Sequence, residues 1–149
     1  MIDLLLAFAH HLLAFSLAGI LAAETALLQP GLSAERLRLL GNLDTTYGIV
    51  AGLILVVGFG RVFYGVHGPA FFLANPWFWA KIACFAVVGA LSAPPTIRFI
   101  AWRRKAKSDG AFVVTADDVR SVRRFFVGEI VFFAFIPLFA AAMVRVPFL

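Results

Sequence analysis

LLLAFAHHLLAFSLAGILAAETALL, residues 4–28, carries only His10, His11 and Glu24 as ionisable groups. About 20 consecutive apolar residues let a helix cross the hydrocarbon core of a bilayer. This run meets that length, so it reads as a membrane span, and three more apolar runs follow at 45–66, 77–101 and 126–145. The chain has 149 residues, 62% of them apolar and 14% charged. Soluble domains carry about a quarter charged residues. The expected fold is therefore an all-α integral membrane protein, a four-transmembrane-helix bundle forming one domain over 1–149.

Asp3, in place of a basic leader, and the length of the apolar stretch make the first run a retained span rather than a signal peptide. The net charge of +5 is unevenly spread. Arg98, Arg103, Arg104, Lys105, Lys107, Arg120, Arg123 and Arg124 crowd around the 102–125 connection, and Arg36 and Arg38 follow the first span. The 67–76 connection has neither Lys nor Arg. The positive-inside rule then puts both basic loops in the cytoplasm and both termini on the other side. The basic charge sets orientation and attracts anionic membrane lipids, with no nucleic acid expected as a partner. Cys84, the single cysteine, excludes an internal disulfide and reads as a small apolar filler.

Local signals mark the joints. Pro30-Gly31 ends the first helix, and Ser33 caps a short interfacial helix over 33–44 that leads to the second span. Gly48, Gly52 and Gly60 are placed for close helix contact. Trp77, Phe78 and Trp79 suit an interfacial aromatic belt. Pro94-Pro95 should kink the third span and Pro137 the fourth. Thr115 and Asp118 have capping-box spacing ahead of the last helix.

Ionisable groups at membrane depth cost about 3 kcal/mol or more unless partnered, so they point to function. Two layers emerge. Glu24, Asp44 and Glu129 fall in the cytoplasmic half, where pairing with Arg36, Arg38, Arg98 or Arg124 is the simplest expectation. His10, His11, Arg61 and Lys81 fall in the other half, with no carboxylate at their depth. Cations beside histidines suit an anion with an apolar body: haem or porphyrin propionates, or a quinone headgroup reduced to an anion. Lys81 shares a helix face with Phe85, Val88 and Ser92. Tyr64, one turn beyond Arg61, joins Ser92 as a candidate cofactor contact.

Adjacent helical residues point about 100° apart, so His10 and His11 cannot serve one centre together. His10 lies on a stripe with Ala14, Leu17, Leu21 and Glu24, and His11 on one with Phe15, Ala18 and Ala22. A neutral imidazole is a normal axial ligand of haem iron. The smaller, roomier stripe ranks His11 ahead of His10 as the metal ligand.

The HH pair, LDTTYGIVAG, GFGRVFYGVHG, NPWFWAKIACF, LSAPPTIRFIAWRR and VRRFFVGEI together resemble a bacterial membrane family, domain of unknown function 2214. That resemblance covers nearly the whole chain and implies four helices in a bacterial inner (cytoplasmic) membrane, without implying an activity. His67 stands where that family has a lysine. A more distant likeness is to haem-dependent protoporphyrinogen oxidases of the HemJ type. Those four-helix proteins have a histidine in the first span and a lysine where PWFWAK places Lys81. Ala18-Gly19 stands one or two places off that family's AG pair, and Glu24-Thr25 replaces its arginine. The likeness implies haem b or porphyrin.

The functional expectation is a haem b-binding membrane protein, an oxidoreductase coupling a porphyrin or quinol to electron transfer. His10 or His11 would ligate iron, and Arg61 and Lys81 would hold propionates or stabilise an anionic intermediate. One alternative is a small-anion or proton-coupled transporter working as a homo-oligomer, with Glu24 and Glu129 relaying protons. Another is a non-catalytic assembly subunit.

Overall fold

The structure, a computed structural model, describes residues 1–146. Five helices follow one another: α1 (Ile2–Leu27), α2 (Ala34–Tyr64), α3 (Gly68–Ala74), α4 (Pro76–Ser108) and α5 (Ala116–Arg145). All but α3 are long and apolar enough to cross a membrane. At 1.5 Å per residue, α2 and α4 are each about 45–50 Å long, well beyond the ~30 Å of hydrocarbon. Their excess length extends through the headgroups. The expected break between an interfacial helix over 33–44 and a span from 45 is absent: α2 is continuous from Ala34. Nothing between Leu40 and Thr46 breaks a helix, and Thr45 and Thr46 turn their hydroxyls back to the carbonyls of Gly41 and Asn42.

The ends are built as the local sequence suggests. Ser33 accepts a hydrogen bond from the Arg36 amide. Thr115 and Asp118 form a reciprocal capping box at the start of α5. Asn75 caps α4 through the Trp77 amide. Pro76 takes the first helical position, where its missing N–H leaves no hydrogen bond unmade. The α4 helix runs on through Pro94 and Pro95, and α5 through Pro137. Gly31 turns the chain after α1 with φ +73°, the left-handed region glycine enters freely.

α1 packs on α2, α2 on α4, and α4 on α5, while α1 meets α5 more lightly. The main core lies toward the basic loops, where Leu17, Leu21, Leu40, Phe99, Trp102 and Phe126 pack together. The two basic-end connections clasp one another, the Gly31 amide donating to the Val114 carbonyl at 2.9 Å. A smaller core of Val62, Phe72 and Phe78 closes the end bearing α3. Phe78 therefore packs inward, unlike its belt neighbour Trp79, which is exposed. The Asn75 side chain donates to the Met143 carbonyl and ties α4 to α5 there. Exposed Leu4, Leu5, Phe8, Leu12 and Phe15 give α1 an apolar outer face. In a membrane protein that face meets lipid tails.

Candidate functional site

Between the two cores lies a partly open cavity of about 70 Å³. Its wall includes His10 of α1, Gly58 and Phe59 of α2, and Phe78, Lys81 and Phe85 of α4. The stripe expected for His10 is the buried face of α1, for Leu17, Leu21 and Glu24 are among its most enclosed residues. That face turns the His10 ring inward. The imidazole rests against Gly58, where an added methyl would come within 3.4 Å of Cε1. The ring therefore packs directly on the α2 backbone, with room for little more than a methyl between them.

His10 Nδ1 is shut off from solvent and has no hydrogen-bond partner among the described residues. Buried polar nitrogens are nearly always bonded, so an orphan at a cavity wall is a candidate ligand atom. Lys81 and Arg61 stand within electrostatic reach of the same imidazole. The Lys81 ammonium lies 5.2 Å from the centre of the Phe78 ring, a cation–π contact within one helix. Arg61 Nε is also buried and unpartnered among the described residues. Two cations and an imidazole gather here, and neither described ion pair, Arg98–Asp118 nor Arg120–Asp117, includes them.

The other expected contacts lie elsewhere. His11 is exposed on the outer face, its Nδ1 bonded to the Ala7 carbonyl one turn earlier. The two histidine rings stand 6.4 Å apart and nearly perpendicular. Tyr64 is exposed at the end of α2, and Ser92 donates to the Gly89 carbonyl of its own helix. Gly48 and Gly52 face open space, so the close approach of α1 to α2 falls at Gly58 and Gly60.

The acidic layer is arranged differently from expectation. Glu24 and Glu129 are almost fully buried, at 2% and 1% exposure, and face the bundle interior. Neither they nor Asp44 pairs with Arg36, Arg38, Arg98 or Arg124; Arg98 instead faces Asp118 at 3.9 Å. The helix faces that carry these acids point to the core, whereas the arginines sit on loop-side, outward faces. Depth along the chain was readable; direction around the helix was not. Asp44 accepts a 2.7 Å hydrogen bond from the Thr96 hydroxyl, and the Tyr47 hydroxyl bonds Glu129.

Chemically, the cavity brings the His10 imidazole and the Lys81 ammonium to one apolar wall, with Arg61 near but not on that wall, and it has an open side. Leu55 and Phe59, which border it, are exposed on the bundle surface. Its enclosed part holds about two waters at ~30 Å³ each. A whole tetrapyrrole is far larger than this enclosed space and would have to lie mostly in the lipid-facing opening. Among the described residues no three His, Cys, Asp or Glu side chains group closely enough to hold a metal ion by themselves.

No curated protein and no solved structure matches the chain. The family model described as "Predicted membrane protein (DUF2214)" matches residues 2–146. The protein belongs to that family.

Proposed function

We propose that this DUF2214-family membrane protein binds haem b, or a related porphyrin, at the His10 cavity and serves as an oxidoreductase in the bilayer. The observation that carries the reading is the meeting of His10 and Lys81, 71 positions apart in the chain, on one cavity beside Arg61. His10 would offer an imidazole nitrogen to the iron, a usual axial ligand. Lys81 and Arg61 would hold the propionates, since cations beside apolar walls suit an anion with an apolar body. Bound haem would supply one-electron chemistry. The chain's own part is to orient the ring, neutralise its acids and keep water from the iron with Phe59, Phe78 and Phe85.

The open side between Leu55 and Phe59 suits a substrate that travels in the membrane, such as a porphyrin or a quinol. Purified protein titrated with haemin should develop a Soret band that survives Lys81→Ala and disappears on His10→Ala. Protein that stays colourless after reconstitution would overturn the reading.

A further inference from the structure

The His10 cavity makes no use of the acids buried at the other end of the bundle. Glu24 and Glu129 approach from opposite sides, one on α1 and one on α5, and each has its Oε1 buried with no hydrogen-bond partner among the described residues. Asp44 and Tyr47 of α2 lie within electrostatic reach of them. From α4, Thr96 donates its hydroxyl to Asp44, and Arg103 packs against Gly41 one turn away. Neither glutamate enters a described ion pair. A glutamate enclosed this fully with no ion pair is costly to keep charged.

A second observation says how charge would be relieved. Asp44 lines a partly open groove of about 220 Å³ between α2 and α4, together with Thr45, Gly48, Thr96 and Arg103. At ~30 Å³ per molecule the groove has room for several waters, and its polar wall gives them partners. The carboxyls do not group closely enough to hold a metal ion among the described residues. A proton is the one cation a buried carboxyl can take without further ligands.

We infer that Glu24, Glu129 and Asp44 form a proton-holding site in the bundle core, loaded from the groove. A hydronium ion in the groove gives its proton to the Asp44 carboxylate and leaves as water. A water between Asp44 and the glutamates would carry the proton on to a carboxylate oxygen of Glu24 or Glu129, and Asp44 returns to its anionic form. One proton is bound in all, and no electron moves. The inference stands apart from the haem reading, because it involves neither the His10 cavity nor a coloured ligand.

Infrared spectra of the full chain in lipid nanodiscs test it. At about pH 7, where ordinary exposed carboxyls are ionised, the protein should show the C=O stretch of a protonated carboxylic acid. The band should shift to lower frequency in D₂O and be lost in the E24Q/E129Q double variant. Glutamine copies the shape of the neutral acid, so that variant should keep the helix content and unfolding temperature of the parent. Gly48→Leu, at a position facing open space, should fill the groove and slow the D₂O shift without removing the band. A parent spectrum with no acid band, or a band unchanged in the double variant, would overturn the site. An unchanged D₂O rate in Gly48→Leu would overturn the groove as its entrance.

Discussion

An imidazole on a membrane helix serves a buried centre only if its face of the helix looks inward and a neighbour leaves room for it. His10 meets both conditions because Leu17, Leu21 and Glu24 pull its stripe into the core and Gly58 yields the space. His11 meets neither, and its bond to the Ala7 carbonyl leaves it on the lipid side. His10→Ala should therefore abolish haemin binding, while His11→Ala should leave the affinity within about 2-fold, an effect well under 1 kcal/mol. Gly58→Leu should also abolish binding by pushing a side chain into the ring's place, with helix content unchanged. Lys81→Ala should leave the Soret band and weaken porphyrin affinity about 10-fold, near the 1.4 kcal/mol of one charge-assisted hydrogen bond. Titration of each purified variant with haemin and with a metal-free porphyrin separates these effects.

The spans themselves were legible because apolar composition and length decide whether a segment can cross a bilayer. The caps at Ser33 and Thr115 were equally legible, since each depends on residues three apart. Two features were hidden. Continuity of α2 through residues 40–46 runs against Gly41 and Asn42, which are poor helix formers. The choice between His10 and His11, and the isolation of Glu24 and Glu129 from the loop arginines, depends on which face of α1 and α5 meets the bundle. A chain with few polar residues in its spans carries only a weak signal of that face. At the capping box the structure gives a direct expectation. Thr115→Ala should cost about 1 kcal/mol by freeing the Asp118 amide and loosening the first turn of α5. Denaturant unfolding in mild detergent would register it, and Thr115→Ser should restore most of the loss.

The whole molecule is polarised along its axis. The larger core, with an open groove between α2 and α4, lies toward the basic connections, and a smaller core beside the His10 cavity lies toward the end bearing α3. The charge asymmetry predicts that the basic connections face the cytoplasm. With Cys84 replaced by alanine, a cysteine at Lys107 in intact cells should resist a membrane-impermeant thiol reagent, and one at His67 should react. Reversed labelling would invert the orientation without moving the site. The central claim is the joining of His10 and Lys81 into one porphyrin-binding cavity, and its most direct test is the absorption spectrum of the purified protein titrated with haemin. The account predicts a saturable Soret band that His10→Ala removes and His11→Ala keeps. A band that persists without His10, or none in the parent protein, would contradict it.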